Sequence, residues 1–138
     1  MSKTTLGFIY TGMIYLLIGV TLGVLFLIVP EAREMRTVHA HLNLMGFVMF
    51  LIFGVAYHIL PRFKGRPLYS ESLGWWQLWL ANIGLVGLLV FMTLSIYLQI
   101  AGLRYLEAAF GALLALSTYL FVYNMLRTLI PPVPSTRR

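Results

Sequence analysis

The 138-residue chain contains no cysteine. That excludes disulfides, zinc–thiolate sites and any prosthetic group attached through Cys-x-x-Cys-His. Charge is almost as scarce. Only 10% of residues are Asp, Glu, Lys or Arg, and only four are acidic, where a soluble domain carries roughly a quarter charged residues. No carboxylate lies deep within an apolar stretch, since Glu107 falls near a helix end. This argues against a transporter built on a membrane carboxylate and leaves no acid–base pair of the kind hydrolysis needs. No segment alternates polar and apolar residues over about ten positions, as a strand of a membrane barrel does. No internal repeat is visible.

What remains is apolar. The chain is 60% hydrophobic with a mean hydropathy of +0.88, and four stretches reach the roughly 20 residues that a membrane crossing requires: Thr5–Val29, Val38–Leu60, Leu73–Ala101 and Tyr105–Ile130. Backbone polar groups in lipid must bond within their own segment. The expectation is therefore an all-α integral membrane four-helix bundle, a single domain over residues 1–138. The first stretch is too long for a signal-peptide core and has no small-x-small cleavage site before Pro30, so it reads as a retained span.

The net charge of +6 sits at helix ends and not on a solvated face, which points to membrane lipid and not to nucleic acid. Lys3, Arg62, Lys64, Arg66, Arg127, Arg137 and Arg138 fall on one side; Arg33, Arg36 and Arg104 fall on the other. The positive-inside rule then puts the N and C termini and the second loop in the cytoplasm. The chain reads as a multi-pass protein of the inner (cytoplasmic) membrane.

Several features organise the spans. Gly19-Val20-Thr21-Leu22-Gly23 is a small-xxx-small pattern that lets another helix approach. Pro30 stops the first helix, and Glu31–Arg36 forms a polar loop or short surface helix. Pro61-Arg62-Phe63-Lys64-Gly65-Arg66-Pro67 is a basic turn. Trp75, Trp76 and Trp79 open the third helix, where indoles anchor at headgroup level. Asn82 and Gln99 in the third helix and Asn124 in the fourth are candidates to bridge helices. Ala108, Gly111, Ala112 and Ala115 give the fourth helix a small face suited to packing. Pro131-Pro132-Val133-Pro134 ends it and leaves a short disordered tail.

Two of the three histidines lie in one run, His39-Ala40-His41-Leu42-Asn43-Leu44-Met45-Gly46. A histidine within a span is a functional candidate by default, and neutral imidazole is the commonest metal ligand. The structural alternative is a side chain that reaches water or bonds a neighbouring carbonyl. His39 and His41 stand about 200° apart around a helix, so they do not share one small site unless the helix begins between them. Asn43 shares the face of His39, Met45 shares that of His41, and Gly46 offers the low relief that a flat macrocycle needs. Arg33 and Arg36 lie just outside His41, where guanidinium groups suit the propionates of a haem. The chemistry points to a haem held without covalent attachment, with His41 and His39 as the candidate ligands. A copper or zinc site on the two histidines lacks further donors. By depth, Val24–Leu27, Tyr97–Ala101 and Arg104–Ala108 lie level with His41 and hold no methionine. Met13 and Met125 lie level with His58, about 25 Å away by helical rise, where a second site is the lesser expectation.

The residues from His41-Leu42-Asn43 to Phe53-Gly54-Val55-Ala56-Tyr57-His58-Ile59-Leu60-Pro61 resemble a transmembrane helix of the haem-copper oxidase catalytic subunit. The likeness is to its second helix, in the nitric oxide reductase and C-family oxidase branches. It lies in a His-x-Asn start, an internal Phe-Gly and an Ala-Tyr-x-hydrophobic-Leu/Val-Pro end. In that family the helix-opening histidine ligates the low-spin haem near the outer face, a role the resemblance gives to His41; His39 matches no family ligand. The family's subunit has about a dozen spans, and its other ligands come from helices beyond these four. The resemblance thus implies a haem-ligating helix and not oxygen or nitric oxide reduction. The dozen helices form three arcs of four, so a four-helix chain resembles one arc. That implies a homo-oligomer, a trimer, with haem at or near subunit contacts.

Electron transfer to a redox partner, or binding of NO or O₂, is the function expected. The competing expectations are a non-catalytic accessory subunit of a respiratory membrane complex and a small channel or transporter.

Overall fold

A computed structural model describes residues 1–130 of the chain. The expected Pro131–Pro134 tail, together with Arg137 and Arg138, lies outside the described residues. Every regular element among the described residues is helical, and four helices are long and apolar enough to cross a membrane. They are α1 (Lys3–Ile28), α2 (Pro30–Phe63), α3 (Glu71–Tyr97) and α4 (Leu103–Leu129).

Local chemistry sets the ends. Ser2 caps α1, its Oγ accepting from the Thr5 amide at 3.2 Å, and Ser70 caps α3 by accepting from the Leu73 amide at 3.1 Å. Such caps satisfy backbone donors that no helical turn reaches. Val29 is extended because Pro30 follows. Pro30 opens α2 with a 3-10 turn, Pro30–Met35, that runs straight into the α-helical Arg36–His41. Gly65 ends α2 with φ +60, its amide bonding the Arg62 carbonyl at 3.0 Å while the Arg66 amide bonds that of Pro61 at 3.0 Å. This left-handed helix stop favours glycine.

Within α2 the backbone is not uniform. Arg36–His41 is α-helical, Leu42–Met49 is π-helical and Phe50–Phe63 returns to α. π-Helical turns are rare and concentrate at functional sites, because the extra residue rotates side chains on one side of it relative to the other. The rotation falls immediately after His41.

The helices form two antiparallel hairpins, α1 with α2 and α3 with α4. Phe8 packs the first hairpin, its ring 5.3 Å from Phe50, 5.5 Å from Phe53 and 6.1 Å from Tyr57. Phe121 of α4 joins the second hairpin to it, its ring 4.5 Å from Phe53. Such edge and offset contacts add to area burial. Outward faces of all four helices carry exposed Leu, Ile, Val and aromatic side chains, as a lipid-facing surface does.

The α1–α2 seam is closed by glycine, so the Gly19/Gly23 pattern is an interface. A Cβ on Gly19 would meet Asn43 at 2.7 Å, and one on Gly23 would meet the His39 ring at 2.9 Å. On α4 the expectation needs correcting. Ala108, Ala112 and Ala115 are exposed, and the packed face is Leu114, Ser117, Asn124, Met125 and Thr128. The small residues that admit close approach lie on α3: a Cβ on Gly84 would come within 2.7 Å of the Leu114 amide nitrogen. Gln99 also falls outside α3, which ends at Tyr97. Asn82 and Asn124 do bridge. Tyr15 donates to Asn82 Oδ1 at 2.8 Å, linking α1 to α3. Asn124 accepts from the Ser70 amide at 3.1 Å and donates to the Ser70 carbonyl at 2.8 Å.

Candidate functional site

The histidine run sits where α2 passes from α- to π-helix, at the end of the bundle shared by Arg33, Arg36 and Arg104. The opposite end gathers Lys3, Arg62, Lys64, Arg66 and Arg127, so the charges partition between the ends as the sequence indicates.

His41 is half-buried, and its Nδ1 lies 2.8 Å from the Thr37 carbonyl oxygen one turn back. A carbonyl only accepts, so Nδ1 carries the proton. The lone pair of the neutral ring is then on Nε2. A second-sphere bond of this kind orients metal-ligating histidines and fixes their tautomer. His39 follows the same logic with a different partner: its Nδ1 lies 2.9 Å from the Gly19 carbonyl oxygen on α1. Its ring is wedged against Gly23 and stands 5.3 Å from the Phe26 ring. The two imidazoles are therefore anchored differently, His41 to its own helix and His39 to its neighbour.

Asn43 belongs with His39, as its spacing indicates. Its Nδ2 donates to the His39 carbonyl at 2.8 Å and approaches the ring nitrogens no closer than 3.4 Å. Gly46 is buried against Tyr15, its missing Cβ replaced by the root of that side chain at 2.7 Å. Its small size thus admits α1, a role distinct from making room for a planar ligand. Met45 is half-buried and packs against the core. Arg33 is exposed and donates from Nε to the Phe26 carbonyl at 3.2 Å, while Arg36 is exposed at the start of the α-helical segment. His58 accepts a hydrogen bond on Nε2 from the Arg62 guanidinium one turn on, the interfacial role that competes with ligation.

Depth relations shift from those counted along the sequence. His39 faces Gly23 and Asn43 faces Gly19, so His41 is level with Thr21 and not with Val24–Leu27. The 3-10 turn makes α2 start at once after Val29, which moves every later residue inward. For the same reason Gly12 faces Gly46, Phe47 and Phe50. The adjacent Met13 is exposed and about three turns from the level of His58.

Sequence reading passed over three features. Ser95 donates to Glu107 Oε1, joining α3 to α4 at the histidine end through a half-buried carboxylate. The Thr37 carbonyl that fixes His41 is a backbone group, invisible to residue type. An apolar groove of about 730 Å³ opens between α1, α2 and α3, bordered by Tyr15, Leu22, Val38, Leu42 and Leu89. Neither histidine lines it. Among the described residues no three His, Cys, Asp or Glu side chains cluster to hold a metal ion by themselves. A metal at His41 would need ligands from elsewhere.

The family model for cytochrome c and quinol oxidase polypeptide I matches residues 3–134. The chain belongs to this family. It is an integral multi-pass membrane protein related to respiratory oxidases, a family whose members bind haem. Quinol oxidase subunit 1 of Sulfolobus acidocaldarius is 41% identical over 44 residues, 32% of this chain and 8% of that protein. Cytochrome c oxidase subunit 1 of Rhodobacter capsulatus is 43% identical over 49 residues, 35% of this chain and 9% of that protein. The aligned segments thus span less than a tenth of either relative. No solved structure matches the chain.

Proposed function

We propose that the chain binds b-type haem within the membrane, with His41 as axial ligand through Nε2, and serves electron transfer or the binding of a diatomic gas such as NO or O₂. The observation that carries this reading is the 2.8 Å contact between His41 Nδ1 and the Thr37 carbonyl. It holds the ring in the tautomer a ligand needs, at a π-helical turn. Bound haem would supply a redox-active iron; the chain's part is to orient the imidazole and exclude water. His39 meets the same tautomer requirement and is the candidate second ligand, toward the haem of another copy. Arg33 and Arg36, at the same end of the bundle, are the cations available to the propionates.

The remaining ligands come from outside these four helices. A homo-oligomer, a trimer in the favoured form, supplies them from further copies, and the exposed Ala108, Ala112 and Ala115 leave α4 a face that another helix can approach. The excess of Lys and Arg at the opposite end supports termini in the cytoplasm and the histidine end outward, toward a redox partner or diffusing gas. One observation favours the accessory-subunit reading: His39 is engaged as a packing residue against α1. That reading makes the purified protein colourless.

Haem-replete expression followed by detergent purification separates the two. Binding gives a Soret band, and magnetic circular dichroism then reports coordination. A six-coordinate low-spin haem indicates electron transfer, and an open position that takes up NO or CO indicates gas binding. Absence of a Soret band sinks the proposal.

A further inference from the structure

We infer that the seam between α3 and α4 holds an internal water bound by Gln77. Gln77 is fully buried, and neither its Nε2 nor its Oε1 has a partner among the protein atoms. Among the described residues it is the one buried side chain in that condition. The other buried polar groups nearby are used. Ser117 donates to the Leu114 carbonyl at 2.8 Å, Thr128 donates to that of Asn124 at 2.7 Å, and Asn124 is tied to Ser70. A glutamine amide offers two N–H donors and an oxygen with two lone pairs. In a bundle flanked by lipid there is no bulk solvent to satisfy them, and leaving them unmade is costly.

The surroundings say what fits. Gln77 lies seven residues before Gly84 and shares its face of α3. At Gly84 the two backbones touch, a Cβ there falling 3.0 Å from the Leu114 Cα. At the other end Ser70 and Tyr69 are held to Asn124 and Thr128. Gln77 sits between these two clamps, and antiparallel pairing brings it level with residues 117–121 of α4. Ser117 is fully buried there, and its hydroxyl oxygen keeps lone pairs free to accept.

The ligand has to answer a donor and an acceptor together. A cation would take Oε1 and leave Nε2, and an anion would do the reverse. Either would also bury a charge without a counter-charge, since Glu71 and Arg127 are both exposed. Water both donates and accepts, and buried waters characteristically bridge such otherwise unsatisfied groups. The seam is therefore hydrated at this level although it faces apolar side chains.

The chain has two glutamines, Gln77 and Gln99, and Gln99 is exposed beyond the end of α3. Water-edited solid-state NMR of the full chain in lipid bilayers, with glutamine side chains labelled by ¹⁵N, resolves both. Gln99 serves as the hydrated control, and the signal lost in Gln77→Met is that of Gln77. If that variant does not fold, Gln99→Met makes the assignment instead. Magnetisation transfer from water to the Gln77 amide is expected. Gln77→Met should melt at or below the wild-type temperature, because it removes a satisfied site. No transfer to Gln77 while Gln99 responds overturns the inference. So does a Gln77→Met protein that melts higher, since that is the signature of two polar atoms simply left unpaired.

Discussion

Replacing Gly46 with alanine tests the packing of the histidine-bearing helix. The added Cβ would lie 2.7 Å from Tyr15 Cβ, 2.8 Å from its Cγ and 3.1 Å from its Cδ2. Carbon atoms rest about 3.5–4.0 Å apart, and atoms at the root of a side chain retreat only if the helix does. Accommodating one methyl group therefore pushes α1 and α2 apart by roughly 1 Å. Overpacking of this kind costs about 1–3 kcal/mol. Two smaller effects bear on the total. Alanine is a better helix former than glycine by up to about 1 kcal/mol, which offsets part of the loss. The shift also strains the Tyr15–Asn82 hydrogen bond, a class worth about 0.6 kcal/mol in membrane helices. A net loss of about 1–2 kcal/mol is expected. Gly111→Ala is the control, because its Cβ would meet nothing nearer than Leu88 Cδ1 at 4.0 Å; it should be neutral or slightly stabilising. Unfolding in mixed micelles, followed by circular dichroism, compares the two. Wild-type stability in Gly46→Ala, or an equal loss in Gly111→Ala, would mean that the Gly46–Tyr15 contact does not set the spacing of α1 and α2.

Other perturbations separate the remaining contacts. Asn124→Leu leaves the Ser70 amide and carbonyl without their partner and should cost about 1–3 kcal/mol in the same assay; Tyr15→Phe removes one hydrogen bond and should cost less, about 0.5–1.5 kcal/mol. Gly65→Ala forces a side chain into φ +60 and is expected to lose about 1 kcal/mol, with hydrogen exchange quickening only around the end of α2. Gly23→Ala places a Cβ 2.9 Å from His39 Cε1. It should displace that ring and change its ¹⁵N tautomer signature while leaving the His41 signature as it was.

Much of this was legible in the sequence because lipid leaves few solutions. Four apolar runs, bounded by Pro30 and the basic turn from Pro61 to Pro67, suffice to give four helices; the Ser70 cap emerges only in the structure. The divergence of His39 from His41, and the pairing of His39 with Asn43, follow from 100° per residue. The Gly19/Gly23 pattern marked an interface, although only the structure identifies what fills it. The packing face of α4 was misread: alanine counts as a small residue wherever it points, and the close approach comes from Gly84 on α3. The π-helical stretch has no sign in composition, since it rests on backbone hydrogen-bond register. That register, with the 3-10 start of α2, also displaces the levels expected for Val24–Leu27 and Met13. The carbonyls of Thr37 and Gly19 that orient the imidazoles were out of reach for the same reason, being backbone atoms placed by rotamer and helix contact.

Whether His41 holds haem iron is read from a pyridine haemochrome assay of haem per chain. Wild-type protein and its His41→Ala and His39→Ala variants are compared after identical haem-replete expression and purification. B-type haem is expected in the wild type and is lost in His41→Ala, with the variant still folded by circular dichroism. Full haem content in His41→Ala would contradict His41 as the ligand.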